Sequence, residues 1–348
     1  MNFKKFLLDA EQNLFIIAEA GVNHNGNINT AFLLVDAAVK AGCDAVKFQT
    51  WITDKVYSRD KSIKPEYQIR TTDAEESEYE TIKKLELSYD DFRRIKKYCD
   101  EKGILFLSTP DETDSADFLA ELGVSVMKTA SQDVTNTPFL GHIARLGMPV
   151  IFSTGACTLT ELAEGVEAIR TETDELIILH CVSSYPAPMD QMNLSVIANL
   201  RNSFGCPVGF SDHTVGAEVA CAAVAMGARI FEKHLTLDKS MSGPDHQASL
   251  DPDEMFHYCK SLREVRTSIG DGVKRIMPCE ENTRKAFRRF LVAARDLAEG
   301  TVLRYEDCTF KKVVDGIPSR YIELVIGSQL IEGVKEDTVL SWSMLQKS

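Results

Sequence analysis

The sequence lacks any apolar run approaching the roughly 18 residues that a membrane-spanning helix needs. Near the start, Asp9 and Glu11 interrupt the apolar residues before the core of a signal peptide could form. None of the nine cysteines forms a CxxC pair or a short disulfide spacing, so we expect buried, reduced thiols rather than disulfides or zinc ligands. These absences predict a cytoplasmic protein without a membrane partner.

Positive charge is also scarce. The 348 residues include 39 Lys and Arg against 52 Asp and Glu, which gives a net charge of -13. This excess of negative charge disfavours nonspecific binding to nucleic acid, so we expect no nucleic-acid partner. An anionic substrate would therefore have to be attracted by locally placed lysines.

The glycine-rich GxGxxG fingerprint of dinucleotide-binding sheets is missing after the first predicted strand. Instead, short and continuously apolar runs recur, as is typical of parallel strands buried on both faces. There are eight such runs: Phe15 to Glu19, Ala45 to Gln49, Ile104 to Thr109, Val124 to Lys128, Val150 to Thr154, Leu176 to His180, Val208 to His213 and Arg229 to His234. Most are followed by a helical pattern, which predicts an α/β fold of the (β/α)8 TIM-barrel type rather than an open doubly wound sheet.

The composition changes after Gly270. We predict a barrel domain over residues 1–272, a linker over 273–286 and a small, mostly β domain over 287–348. In the small domain, Leu324 to Gly327 is one of the pieces predicted as a strand. A long polar insertion, Trp51 to Glu80, is predicted to be a lid or a dimer element, because connections of this length are rarely idle.

Two histidines, 21 residues apart, each end a predicted strand. His213 ends one strand and His234 the next, with an alanine-rich segment between them that predicts a helix. A right-handed βαβ connection brings both imidazoles to the same end of neighbouring parallel strands. Two neutral imidazoles completed by water and substrate oxygens suit Mn²⁺, with Mg²⁺ or Co²⁺ as alternatives. Considered alone, each histidine could instead be a hydrogen-bonded core residue that binds no metal.

Polar residues end the other predicted strands as well, and in a barrel these ends form the active site. They include lysines and hydroxyls, which suit phosphate and carboxylate recognition. Glu19 and Glu232 could position water or move protons. Each residue alone also has a plainer role, as a solvated lysine, a helix cap or, for Asp245, a turn residue. A Schiff base at Lys128, in a metal-free aldolase, is the alternative chemistry.

At these residues the chain resembles the sialic acid synthase family, whose members condense phosphoenolpyruvate with an N-acetylated hexosamine. The resemblance runs from about Leu14 to the C-terminus, and its tail resembles the antifreeze-like SAF domain of that family. The matching motifs, in order, are Ile17-Ala18-Glu19-Ala20-Gly21-Val22-Asn23-His24-Asn25-Gly26, Val46-Lys47-Phe48-Gln49, Ser108-Thr109-Pro110, Ser153-Thr154-Gly155, Tyr185-Pro186-Ala187-Pro188, Phe210-Ser211-Asp212-His213, Glu232-Lys233-His234 and Ser242-Gly243-Pro244-Asp245-His246. Their shared order makes the resemblance specific.

The resemblance implies a role for each matching residue. The metal ligands would be His213 and His234, and the catalytic residues would be Glu19, His213, Glu232 and His234. The substrate-binding residues would be Lys47, Gln49, Thr109, Lys128, Ser131, Ser153, Ser183, Tyr185, Ser211, Asp245 and Lys312. The small domain of one subunit would cover the site of the other in a domain-swapped homodimer.

Four positions depart from the family pattern. Asp111 stands where the family has Phe, Ala156 where it has Met, and Gln132 where it has Gly. Lys312 stands at the position of an arginine that contacts the sugar across the dimer, and Lys lacks the planar guanidinium fork. Arg320 is the candidate to compensate. These departures affect the prediction of which sugar is bound more than the prediction of the reaction.

The resemblance implies that phosphoenolpyruvate, an N-acetylated mannosamine-type sugar and water give a nine-carbon nonulosonic (sialic) acid and phosphate by C–O cleavage. One alternative is a legionaminic or pseudaminic acid synthase that uses a 2,4-diacetamido-2,4,6-trideoxyhexose. A synthase for a phosphorylated aldose would need a further basic cluster, which the sequence does not show. The alternative of a different class is a non-catalytic carbohydrate-binding relative, altered at Gln132 and Lys312.

Overall fold

The computed structural model describes residues 3–59, 64–73 and 75–347. Residues 60–63 and 74 of the predicted insertion, and residues 1–2 and 348 at the ends of the predicted domains, lie outside this range. The chain divides into two compact units, Met1–Gly270 and Asp271–Ser348. No helix in the described ranges is both long and apolar enough to cross a membrane.

The first unit contains eight parallel strands. They are β1 (Phe15–Gly21), β2 (Ala45–Thr50), β3 (Leu105–Pro110), β4 (Met127–Thr129), β5 (Val150–Ser153), β6 (Leu176–Cys181), β7 (Val208–Asp212) and β8 (Ile230–His234). Hydrogen bonding follows the order β3-β2-β1-β8-β7-β6-β5-β4, and the two end strands β3 and β4 also lie in contact. The sheet is therefore a near-closed barrel, which confirms the predicted fold.

Helices surround these strands and fill the connections between them. They are α1 (Phe3–Asn13), α2 (Ile28–Ala41), α3 (Thr53–Val56), α4 (Glu66–Thr71), α5 (Glu78–Leu85), α6 (Tyr89–Lys102), α7 (Thr113–Leu122), α8 (Thr137–Arg145), α9 (Leu159–Arg170), α10 (Val196–Phe204), α11 (Glu218–Ala225) and α12 (Pro252–Ile269). Capping boxes at Ser88, Thr158 and Asp251 begin α6, α9 and α12 by satisfying backbone N–H groups of the first turn.

Two apolar layers hold the barrel together. Inward-facing strand residues such as Ile17, Leu107 and Ile177 form the interior, and Phe6 and Ala10 of α1 pack against them. Helix α1 therefore covers the amino ends of the strands. The outward-facing residues pack against the surrounding helices in a second, larger cluster. With the amino end filled in this way, the carboxyl ends are left as the open mouth.

The insertion after β2 folds into the short helices α3, α4 and α5 at this mouth. Trp51, Ile82 and Leu85 pack with Val22 of the loop after β1. The indole N–H of Trp51 donates to the hydroxyl of Thr53 at 3.0 Å. These contacts anchor both ends of the insertion beside the strand termini; its role as a lid or dimer element stays a prediction.

The second unit is small and mostly β. It contains α13 (Glu281–Phe287), β9 (Arg289–Ala293), β10 (Cys308–Lys312), α14 (Ile322–Val325), β11 (Ser328–Leu330) and β12 (Leu345–Lys347), with β9 antiparallel to β10 and β11 antiparallel to β12. The predicted strand at Leu324 to Gly327 is wrong, because α14 occupies its first half. Val325 is buried and Leu324 exposed, and so short an apolar run does not distinguish helix from strand.

Candidate active site

A cavity of about 500 Å³ lies at the carboxyl ends of the barrel strands, and each of the eight strands contributes lining residues. All of the predicted site residues of the barrel line it: Glu19, Lys47, Gln49, Thr109, Lys128, Ser131, Ser153, Ser183, Tyr185, Ser211, His213, Glu232, His234 and Asp245. Lys312 belongs to the second unit, where its ammonium lies 4.7 Å from the ring centroid of Phe287. The cross-subunit role of Lys312 stays a prediction.

Four buried charges alternate in sign at the centre of the cavity. Lys47 Nζ lies 2.7 Å from Glu19 Oε2 and 3.8 Å from Glu232 Oε1, and Lys128 Nζ lies 3.7 Å from Glu232 Oε2. Lys47 also donates a hydrogen bond to Thr109 Oγ1 at 3.0 Å. An unpaired charge buried here would cost several kcal/mol of folding free energy. The alternation of opposite charges therefore allows these four side chains to remain buried.

The two glutamates differ in protonation although they share Lys47. Burial raises the pKa of Glu19 to about 7, with Lys47 acting in the opposite direction. Burial also disfavours ionisation of Glu232, but Lys128 and Lys47 outweigh it and hold the pKa of that carboxyl below its usual value. Glu232 is therefore ionised at neutral pH while Glu19 titrates near neutrality. Two carboxyls with separated pKa values are suited to different acid–base roles.

One serine hydroxyl bonds the ammonium of Lys128, and other serine hydroxyls line the same cavity. Lys128 Nζ donates to Ser153 Oγ at 2.6 Å and to the carbonyl of Thr129 at 2.9 Å. The backbone N–H of Gly155 donates to Ser131 Oγ at 2.9 Å. A Cβ on Gly155 would lie 2.0 Å from Ser183 Oγ, so only glycine leaves these hydroxyls room. An ammonium with converging hydroxyls is a recognition site for phosphate or carboxylate.

His213 and His234 lie side by side in the cavity, with ring centroids 5.5 Å apart and ring planes at 51°. The Nδ1 of His213 is 2.9 Å from the carbonyl of Val182. If Nδ1 carries the proton of that hydrogen bond, Nε2 is the nitrogen with a free lone pair. The pKa of His234 is far below its usual value because of burial and of the neighbouring His213 and Lys47. His234 is therefore a neutral imidazole, as metal binding requires.

His234 fits a divalent cation in one further respect. Within the described part of the chain, His234 Nδ1 is buried without a hydrogen-bond partner, and it lies 4.0 Å from Asp245 Oδ2. A buried polar atom left unsatisfied is costly, and a bound ion or its water would satisfy it. No group of three His, Cys, Asp or Glu among the described residues is placed to hold a metal. Water and substrate would therefore supply the remaining ligands.

Cys181 and Asp111 are among the cavity residues that the sequence did not predict as site residues. Cys181 ends β6, with Sγ 3.8 Å from His213 Nδ1 and 3.7 Å from Ser131 Oγ. Its scattered spacing predicted a buried core thiol, although its position at the end of a strand was the signal that could have identified it. Asp111, noted only as a departure from the family pattern, also lines the cavity.

The sequence and the fold were compared with known proteins. Residues 34–274 match the NeuB family and residues 288–346 match the SAF domain. The N,N'-diacetyllegionaminic acid synthase of Legionella pneumophila is 40% identical over 95% of this chain and 94% of its own length. The human N-acetylneuraminate-9-phosphate synthase is 31% identical over 94% of this chain and 91% of its own length.

Among solved structures, the N-acetylneuraminic acid (sialic acid) synthetase of Leptospira borgpetersenii superposes with a TM-score of 0.70. It shares 33% sequence identity and covers 79% of this chain and 91% of its own. The similarity thus extends through sequence and fold alike.

Proposed function

The chain belongs to the NeuB family, a family of phosphoenolpyruvate-dependent transferases that act on amino sugars, and from that membership we propose its particular reaction. The enzyme condenses phosphoenolpyruvate with an N-acetylated mannosamine-type sugar and water, and it releases phosphate and a nonulosonic acid. The observation that carries this proposal is the convergence of Lys47, Lys128 and four serine hydroxyls beside the histidine pair in one cavity.

The lysine side of the cavity would hold phosphoenolpyruvate. Lys128 lies 3.7 Å from Glu232, beyond hydrogen-bonding distance, and its ammonium bonds Ser153 and the backbone instead. An anion can therefore bind Lys128 without breaking a close ion pair. Lys47 is held by Glu19 at 2.7 Å, and protonation of Glu19 near pH 7 would free Lys47 for a second anionic group. Two such positions match the phosphate and the carboxylate of the substrate.

The two imidazoles would form the protein's part of the metal site. His213 and His234 would hold a divalent cation, Mn²⁺ in the first instance and Mg²⁺ or Co²⁺ as alternatives. When bound, the ion supplies Lewis-acid polarisation of the sugar's aldehyde oxygen. Glu19, Tyr185 and Asp245 would orient the open-chain sugar so that its C1 carbon meets the enol carbon.

Proton movements are assigned to the glutamates. After the enol carbon bonds to C1 of the sugar, Glu19 would donate a proton to the alkoxide formed there. Water adds at C2 of the phosphoenolpyruvate portion, and Glu232 would accept its proton. Glu232 Oε2 is buried without a hydrogen-bond partner in the described structure, so it is available to a water molecule. The tetrahedral carbon then expels phosphate as the C–O bond breaks, and the C2 hydroxyl passes its proton to the departing phosphate, which leaves the 2-keto acid.

A 2,4-diacetamido-2,4,6-trideoxyhexose is the second candidate sugar. The Legionella relative named for diacetyllegionaminic acid is 40% identical, against 31% for the human relative named for N-acetylneuraminate 9-phosphate. Homodimer formation with exchange of the small domain, and Lys312 as the residue it contributes, remain part of the proposal. So does the cytoplasmic location.

Phosphate release from phosphoenolpyruvate tests the proposal. The purified enzyme is incubated with N-acetylmannosamine or the diacetamido sugar, with Mn²⁺ or with a chelator. We expect release that requires both a sugar and the metal, and the better sugar identifies the substrate. No release with either sugar in Mn²⁺ would favour the carbohydrate-binding alternative instead.

A further inference from the structure

Two cysteines meet outside the barrel strands, where helix α2 packs against helix α12. Cys43 directly follows Gly42, the residue that caps α2, and Cys259 lies within α12. Their sulfurs are 3.6 Å apart, although the two residues are 216 positions apart in the chain. Both are free thiols. The fold, rather than any spacing of cysteines in the sequence, therefore brings this pair together.

The chain around Cys43 is held in place by its neighbours. The next residue, Asp44, donates its backbone N–H to the carbonyl of Ile16 in β1 at 2.9 Å. The carboxyl of Asp44 accepts a hydrogen bond from Arg263 of α12 at 3.1 Å. Arg263 lies four residues after Cys259, so both side chains project from the same face of α12. The ion pair between Asp44 and Arg263 therefore keeps this face of α12 against the turn that carries Cys43.

The two sulfurs are close enough to be joined by a covalent bond. A disulfide bond is about 2.05 Å long, so the sulfurs of Cys43 and Cys259 would have to approach each other by roughly 1.5 Å. Rotations of both side chains about their Cα–Cβ bonds move the sulfurs over distances of this order. The bond can therefore form without separating the two helices.

The two thiols differ in their access to solvent. Cys259 is 1% exposed, whereas Cys43 is half-buried, so a small oxidant reaches Cys43 first. The hydrogen bond with Cys259 and burial hold the pKa of the Cys43 thiol well above its usual value. Because the thiolate is the reactive form, Cys43 reacts slowly at neutral pH. The pair thus stays reduced in a reducing compartment and needs sustained oxidation to change.

We propose that Cys43 and Cys259 are a redox modification site, at which hydrogen peroxide closes a disulfide between α2 and α12. The sulfur of Cys43 attacks one peroxide oxygen, the O–O bond breaks, and a sulfenic acid and water form. The sulfur of Cys259 then attacks the sulfur of Cys43, the S–O bond breaks, and a second water leaves. The two thiols lose two electrons and two protons, which reduce the peroxide to two water molecules.

This bond would join the first and the last β/α units of the barrel. Helix α2 follows β1 and helix α12 follows β8, and these two strands are paired in the sheet. A cross-link between positions so distant in the chain removes much of the conformational freedom of the unfolded state. The oxidised protein should therefore unfold at a higher temperature than the reduced protein. This outcome is independent of the reaction that the enzyme catalyses.

Peptide mapping of the full chain tests the modification. The protein is kept in hydrogen peroxide for several hours, the remaining thiols are alkylated, and a digest is analysed by mass spectrometry without reduction. Cys43→Ser and Cys259→Ala each remove one partner. Cys279→Ser removes an exposed thiol of the second unit and is the matched control. Thermal unfolding of each protein is followed by circular dichroism before oxidation, after oxidation and after reduction with dithiothreitol.

We expect a linked Cys43–Cys259 peptide in the wild type and in Cys279→Ser. In both proteins the Tm should rise by about 5–10 °C on oxidation and return on reduction. Cys43→Ser and Cys259→Ala should show neither the link nor the rise. Absence of the linked peptide in wild-type protein whose exposed Cys279 has been oxidised would overturn the inference. A link that leaves the Tm unchanged or lowers it would also contradict it.

Discussion

Asp212 and Lys233 face each other across strands β7 and β8, with their fully buried Oδ2 and Nζ atoms 3.1 Å apart. Each stands immediately before one of the two cavity histidines. Asp212 Oδ1 also accepts hydrogen bonds from the backbone N–H and hydroxyl of Thr214, at 2.8 and 2.7 Å. The ion pair therefore joins the ends of the two strands from behind, on the helix side of the barrel.

Removing one partner of this pair should destabilise the fold. Lys233→Met leaves the Asp212 carboxylate buried without a counter-charge, and we expect a loss of about 3–5 kcal/mol in the free energy of unfolding. Chemical denaturation measures it. The control Lys239→Met removes a more exposed ion pair with Glu254 and should cost less than about 1 kcal/mol.

The double variant Asp212→Asn/Lys233→Met provides the second control for that prediction. It removes both charges, so its loss should be smaller than that of Lys233→Met alone. Equal losses for Lys233→Met and Lys239→Met would show that the buried pair does not hold the strand ends together.

Loss of either cavity histidine should abolish metal binding and turnover together. We expect His213→Ala or His234→Ala to lower kcat/KM by more than about 100-fold and to weaken Mn²⁺ binding measured by electron paramagnetic resonance. His142→Ala, on α8 and paired with Asp117, is the control and should retain both properties. Wild-type activity of His213→Ala in metal-stripped buffer would contradict the proposed metal site.

A single methyl group at Gly155 should block the phosphoenolpyruvate site. The added Cβ would lie 2.0 Å from Ser183 Oγ and 2.8 Å from Ser131 Oγ, so those hydroxyls must move. We expect Gly155→Ala to raise KM for phosphoenolpyruvate by about tenfold or more. Gly141→Ala, where the nearest atom to a Cβ is an Arg145 nitrogen at 3.5 Å, should leave KM unchanged. Equal KM values would place the substrate away from these serines.

The stability of the protein should depend on pH through Asp133. Burial raises its pKa from 3.8 to about 6, so folding favours the protonated form. The associated stability is complete below about pH 4 and is lost as the pH rises through 6, and its magnitude is roughly 3 kcal/mol.

Asp133→Asn removes this titration. Unfolding followed from pH 4 to 8 should show the variant gaining stability relative to the wild type as the pH rises, with the largest difference above pH 7. Parallel curves for the two proteins would mean that Asp133 does not titrate in this range.

The sequence predicted the barrel because eight short, continuously apolar runs, most of them followed by a helical pattern, are typical of a parallel sheet covered on both faces. It also predicted which polar residues share the cavity, because the last residues of parallel strands meet at one end of a barrel. Lys47 and His234 are distant in the chain, yet strand order alone brings them to the same mouth.

Other features depend on three-dimensional contacts that no local pattern carries. The pairing of Lys47 with Glu19, rather than with a ligand alone, follows from the β1–β2 register. Leu324 was misassigned because a run of three apolar residues fits either a strand or a single helical turn.

In the proposed metal-dependent condensation, phosphate leaves by C–O cleavage. Phosphoenolpyruvate labelled with oxygen-18 at the bridging oxygen, incubated with the preferred sugar and Mn²⁺, tests it most directly by mass spectrometry of both products. We expect all of the label in phosphate and none in the nonulosonic acid. Label retained in the acid, or phosphate formed without any sugar-derived product, would contradict it.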